Sequence, residues 1–217
     1  MTIKHHPPEH LIAGFASGSL EEADRLAVAV HAAQCPSCRR LLWALERIGG
    51  TVIEQADPAG MRADAFSKVL AKIEATPAPG LSPAETGEAA TPAADDLPEV
   101  LRRCRFGKQR RVAPGVKMQP IILPGADRSR AFLLWSAPGA KMLDHTHSGT
   151  ELTCVLKGSF AHDGGHFGPG DFDYGDGEVN HQPIVGTGEP CLCFVAMSGS
   201  LKGNGWLGRL VSPFIRL

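Results

Sequence analysis

The chain has 217 residues, 43% of them hydrophobic and 21% charged, and its 22 Lys and Arg against 23 Asp and Glu leave a formal net charge of −1. That balance does not favour a nucleic-acid backbone, which selects for surplus Lys and Arg, and fits a protein partner or a small ligand better. No apolar stretch approaches the roughly 18 residues needed to span a bilayer, and the start MTIKHHPPEH lacks the apolar segment of a signal peptide, so a cytoplasmic protein is expected.

In chain order, three His (His5, His6 and His10) precede the first predicted helix. Ser19 followed by Glu22 has the form of a capping box, and Leu26, Ala27 and Val30 share a stripe beyond it, which predicts a helix running to about Ala33. A second helix is expected from Cys35-Pro36, because proline suits a first turn. It carries Leu41, Leu42, Leu45 and Ile48 before Gly49-Gly50 ends or bends it. From Asp64 to Glu74, the residues Phe66, Val69, Leu70 and Ile73 fall at the i, i+3, i+4, i+7 spacing of an amphipathic face, which packs either on its own domain or on a partner.

Residues 77–96 are Pro, Ala, Gly, Thr and acidic residues with almost nothing that could be buried, and read as a flexible linker. It divides a helical unit over residues 1–76 from a second unit over residues 97–217, where short apolar runs such as Ala131 to Trp135 and Glu151 to Leu156 alternate with Gly-rich turns. Short strands at close spacing predict an antiparallel sandwich or barrel, so the fold class is α + β in two domains.

His31, Cys35 and Cys38 form H-x-x-x-C-x-x-C. Residues four apart share a helix face, and C-x-x-C folds back to present both sulfurs to one ion, so three tetrahedral ligands lie within eight residues. A structural zinc site needs a fourth, for which His6 is the best placed, with His5 and His10 able to substitute. The six Cys of a reducing compartment are more often metal ligands than a disulfide framework. A redox C-x-x-C is the alternative, and the preceding His argues against it. A small helical unit poor in aromatic residues also has reason to need a metal staple.

This pattern, with G-S-L-E-E-A ahead of His31 and Cys35-Pro-x-Cys38-Arg after it, resembles the zinc-binding anti-sigma domain, a four-helix module that wraps around sigma factors of the extracytoplasmic-function class. The resemblance implies ligands His6, His31, Cys35 and Cys38. It also implies that the helix from Asp64 to Glu74 packs on the sigma factor through Phe66, Val69, Leu70 and Ile73.

A second constellation follows. His145 and His147 are two apart, so on a strand both point to one side; Glu151 returns a carboxylate there after a short turn, and His181 comes 30 residues later. Three His and one Glu suit a divalent ion such as zinc, iron, nickel or manganese. Gly139, His145, His147, Glu151 and Gly158 stand as G-x5-H-x-H-x3-E-x6-G, which resembles the first motif of the cupin superfamily; Pro169-Gly170-Asp171 followed by His181 resembles the second, although Val185 stands where the family often has Asn. The implied fold is a double-stranded β-helix barrel with a divalent metal, zinc as the first expectation, in its mouth. His162 and His166 of the turn-like HDGGH are expected to be solvated loop residues. Cys191 and Cys193 are expected to be buried small hydrophobes rather than a redox pair or soft ligands, and Cys104 and Cys154 to serve packing alone.

Together the two motifs, the start MTIKHH, the Cys191-Leu-Cys193 segment and the tail VSPFIR resemble the ChrR family of anti-sigma factors. That family implies inhibition of an extracytoplasmic-function sigma factor in the cytoplasm, relieved by singlet oxygen or organic hydroperoxides through the cupin domain. Two other readings are a cupin metalloenzyme, a dioxygenase or isomerase with an accessory zinc unit, and a DNA-binding regulator using the Cys/His unit as a finger. The neutral charge and the lack of a basic recognition helix oppose the last.

Overall fold

A computed structural model of the chain describes residues 2–76, 97–123, 129–142, 144–177, 182–199 and 201–203. The expected linker and the tail at 211–216 lie outside the described residues. The first part is helical: α1 (Glu9–Ser17), α2 (Glu22–Gln34), α3 (Pro36–Glu54) and α4 (Ala65–Ala75). After a short α5 (Glu99–Arg102) come twelve described strands, β1 (Arg105–Phe106), β2 (Arg110–Ala113), β3 (Val116–Ile122), β4 (Ser129–Ser136), β5 (His145–His147), β6 (Glu151–Lys157), β7 (Phe160–His162), β8 (Gly165–Phe167), β9 (Phe172–Gly175), β10 (Ile184–Val185), β11 (Cys191–Ser198) and β12 (Leu201–Gly203).

Helix α1 escaped the sequence reading. Pro8 at its N-cap, Glu9 in its first turn and Gly18 beyond its end, left-handed at φ 71°, punctuate it, and Leu11 and Ile12 are its buried apolar anchors. The capping box does not form. Ser19 Oγ lies 3.0 Å from Ser17 Oγ and donates to Gly14 O at 3.4 Å, so it closes α1, while Glu21 takes the N-cap of α2. Nor does Gly49-Gly50 end α3, which continues to Glu54. Glycine weakens a helix interior by about 1 kcal/mol against alanine but, unlike proline, removes no backbone donor.

All strand pairings are antiparallel. The main sheet runs β1-β3-β4-β11-β6-β9 with β2 beside β3; β10-β7-β8 form a second sheet and β12-β5 a third. Strand β11 shows how the sheets are covered. Cys191, Cys193, Val195 and Met197 meet Phe160, Phe167 and Val185 of the three-stranded sheet across the barrel interior. Leu192, Phe194 and Ala196 point the other way, into a cluster with Leu152 and Cys154 of β6 and with Leu26, Ala27 and Val30 of α2. Helix α2 therefore lies on the outside of the barrel sheet, and Leu97 and Leu101 at α5 join the same cluster. Full burial of side chains such as Leu133, Leu152 and Phe194 stabilises the fold by roughly 1.5–3 kcal/mol each, so the helices and barrel share one substantial core.

Beyond Leu42, α3 has no fully buried residue, and α4 has none at all. Apart from Cys38, Leu42 and the half-buried Leu45, which pack on the core, the two helices present their large apolar residues to solvent.

Candidate metal centre

His31 stands in the last turn of α2, whose end is fixed by the Cys35 N–H donating to His31 O at 2.8 Å. Cys35 is then the N-cap of α3, its sulfur accepting from the Cys38 N–H at 3.5 Å, with Pro36 in the first turn. Arg39, next in the motif, donates to Ala32 O at 2.9 Å and Ala33 O at 3.3 Å, satisfying the free carbonyls at the end of α2. One sharp helix-to-helix corner therefore delivers an imidazole and two sulfurs to one point.

His6 arrives from the extended N-terminal segment. Its Nδ1 lies 3.5 Å from Cys35 Sγ and 3.4 Å from Cys38 Sγ, while His31 Nε2 lies 3.3 Å from Cys38 Sγ. All four ligand atoms fall within 4.8 Å of one another. Two ligands at about 2.3 Å (S) and 2.05 Å (N) from one tetrahedral ion stand about 3.5 Å apart, so the observed spacing fits such an ion. The other N-terminal histidines are committed elsewhere: His5 packs on Phe167 with ring centres 4.3 Å apart, and His10 meets Tyr174 edge-on. Of the three alternatives left by the sequence, His6 is the one at the site.

His31 is fully buried, which pushes its imidazole down to about 4 and keeps it neutral, despite the opposing hydrogen bond to Gly170. Its Nδ1 lies 2.8 Å from Gly170 O. A carbonyl only accepts, so Nδ1 carries the proton and the Nε2 lone pair faces the sulfurs. Burial, with Cys35 adding to it, pushes the Cys38 thiol up to about 12, so without a cation this sulfur stays protonated. Two sulfurs and two imidazoles form a donor set suited to a closed tetrahedral ion with no open coordination position.

In the barrel, His145 is buried on β5 and Glu151 opens β6. The turn between them is pinned to the end of β11, where Thr150 N donates to Ser198 Oγ and Ser198 N to Thr150 O, both at 2.9 Å. Burial, followed by the nearby Asp173 carboxylate, pushes Glu151 up to about 7, the situation a cation would relieve. The side chain of His147 and all of His181 lie outside the described residues. Cys191 and Cys193 are buried and unbridged with sulfurs 3.5 Å apart, and Cys154 sits in the helix–sheet core accepting from Gln34 Nε2 at 3.5 Å.

His162 departs from expectation. The β7–β8 hairpin turns at Asp163-Gly164, so His162 is the last strand residue and its side chain is buried against Phe160 and Phe167. The Gly164 N–H donates to its Nδ1 at 3.0 Å, leaving Nε2–H to donate to Asp173 at 2.9 Å. His166 is exposed, as expected.

The apolar residues Phe66, Val69, Leu70 and Ile73 of α4 are all exposed, so the helix does not bury its stripe on its own domain. The sequence reading missed their counterparts on α3. There Leu41, Trp43, Ile48, Val52 and Ile53 are likewise exposed, whereas Leu45 packs half-buried on the core; the signal was available in the continued spacing of Leu41, Ile48 and Val52 past the two glycines.

A helical unit closed at a four-residue His/Cys cluster able to hold one metal ion, docked on an antiparallel barrel and carrying bare apolar helix faces, has the build of a binding regulator. Residues 106–200 match the ChrR cupin-like domain family. The anti-sigma-E factor ChrR of Cereibacter sphaeroides is 36% identical over 220 residues, covering 100% of both chains. A chain in the crystal structure of Rhodobacter sphaeroides SigE in complex with the anti-sigma ChrR superposes with a TM-score of 0.72 at 32% identity, over 91% of this chain and 100% of that one. The chain belongs to the ChrR family of anti-sigma factors. No described helix is long and apolar enough to cross a membrane.

Proposed function

We propose that this protein binds an extracytoplasmic-function sigma factor in the cytoplasm and holds it inactive. The exposed apolar faces of α3 and α4 carry this reading, since soluble monomers rarely leave such contiguous patches bare unless a partner covers them. The similarity to a ChrR chain crystallised with SigE supports the class of partner. Residues 1–76 form the binding unit, 77–96 the tether and 97–217 the sensor. Zinc at His6, His31, Cys35 and Cys38 fixes the angle between α2 and α3 and thereby the direction of the apolar face; a d10 ion imposes no geometry of its own and accepts the tetrahedral S2N2 set.

In the sensor, His145, His147, Glu151 and His181 hold a divalent ion, zinc in the first instance. Singlet oxygen or an organic hydroperoxide acting there triggers release of the sigma factor. The raised carboxyl of Glu151, buried beside the Asp173 carboxylate, supports a cation at this site.

The test is co-expression with the extracytoplasmic-function sigma factors of the source organism, then copurification and transcription with core polymerase. A one-to-one complex that silences transcription from the cognate promoter is expected. Failure of every such sigma factor to copurify would remove the proposal.

A further inference from the structure

The N-terminal metal centre is enclosed by the barrel, and by one turn in particular, Gly168-Pro169-Gly170-Asp171. Gly170 O accepts from His31 Nδ1 at 2.8 Å. Asp171 Oδ1 accepts from the backbone N–H groups of Lys4 at 2.7 Å and His5 at 3.0 Å, while His5 O accepts from Phe172 N at 3.1 Å. Both ligand histidines are therefore aimed by the same turn: His31 through its ring, and His6 through the two residues before it.

The turn is itself rigid. Asp171 Oδ2 accepts from Gly168 N at 2.9 Å, and two backbone bonds, Gly170 N to Val155 O at 2.8 Å and Val155 N to Asp171 O at 3.1 Å, lock it to the middle of β6. Gly170 is left-handed at φ 87°, and a Cβ there would fall 2.5 Å from Ile3 Cδ1, so only glycine lets the N-terminal segment lie this close.

We propose that this turn is the positioning element of the N-terminal metal centre, so that the barrel sets how firmly the helical unit holds its ion. Neighbours that orient a ligand imidazole typically change metal affinity about 10- to 100-fold when removed. Strand β6 begins at Glu151 and reaches the turn at Val155, four residues or about 13 Å further on, so a displacement at the cupin motif has a short, hydrogen-bonded path to His31. The inference rests on the ion assigned to His6, His31, Cys35 and Cys38 above.

The experiment uses the full chain loaded with zinc and follows alkylation of Cys35 and Cys38 by N-ethylmaleimide, peptide by peptide, by mass spectrometry. Zinc must first protect these two thiols in the wild type relative to metal-free protein; if it does not, the metal assignment fails and the inference with it. Given that protection, Asp171→Ala, which removes the acceptor, and Lys4→Pro, which removes a donor without touching the barrel, are each expected to speed alkylation about 10- to 100-fold. Val116→Ala, a truncation of a buried residue on β3, which β4 and β11 separate from β6 in the main sheet, lowers stability without reaching the turn and is expected to leave the rate within twofold of wild type. Wild-type rates in both turn variants, or equal acceleration in Val116→Ala, would overturn the proposal while leaving the metal assignment standing.

Discussion

Trp43 lies on the exposed side of α3 with 61% of its surface open to solvent. A tryptophan offers up to about 250 Å2, so about 150 Å2 remains to be covered, worth up to roughly 4 kcal/mol at 25 cal/mol/Å2. Ordering the side chain against a partner costs about 0.5–1.5 kcal/mol, leaving about 2–3 kcal/mol, or 30- to 150-fold in Kd. Trp43→Ala is accordingly expected to weaken sigma-factor binding by that factor, measured by isothermal calorimetry. The folded chain itself loses little: Arg47 lies over the indole at 5.2 Å, an exposed cation–π contact worth about 0.5–1 kcal/mol. An unchanged Kd beside an unchanged melting temperature would refute the assignment of this face; a Kd loss matched by a collapse in melting temperature would refute the claim that Trp43 acts through contact.

Phe194 sits at the centre of the helix–barrel core, and its replacement by Ala is expected to destabilise the chain by about 3–5 kcal/mol in urea unfolding. Because that core is shared, the α-helical circular-dichroism signal and the fluorescence of Trp135 in β4 should be lost in one coincident transition; two separated transitions would contradict the packing. Zinc binding should release the Cys38 proton, since that thiol is held near 12, and none from His31, neutral above about 4; apparent affinity therefore falls as pH falls, and calorimetry in buffers of different ionisation heat gives the count. His145→Ala should leave the sigma complex intact and blunt its dissociation by an organic hydroperoxide, seen by size exclusion before and after treatment.

Much of this was legible in the residues. Helices α2 and α4 follow from apolar spacing, and Pro36 marks the start of α3. The metal corner is visible because it is local: His31, Cys35 and Cys38 lie within eight residues, although Cys35 caps the two helices with extended backbone rather than continuing either. Helix α1 was harder: nine residues give too few turns for periodicity, and only Pro8 and Gly18 punctuate it. The docking of α2 on the barrel was overlooked although β11 announces it. Cys191 to Met197 is an unbroken apolar run buried on both faces, and a strand of that kind needs cover on both sides. The pairing of His31 with Gly170 could not be read at all, since it joins backbone and side chain 139 residues apart and leaves no pattern in either segment.

The central claim is that two sulfurs and two imidazoles hold one zinc at the corner between α2 and α3. X-ray absorption at the zinc edge measures this directly in the full chain carrying His145→Ala, which removes a barrel ligand so that one bound zinc remains. Two sulfurs at about 2.3 Å and two nitrogens at about 2.0–2.1 Å are expected. A first shell without sulfur, or a chain that retains no zinc, would contradict the account.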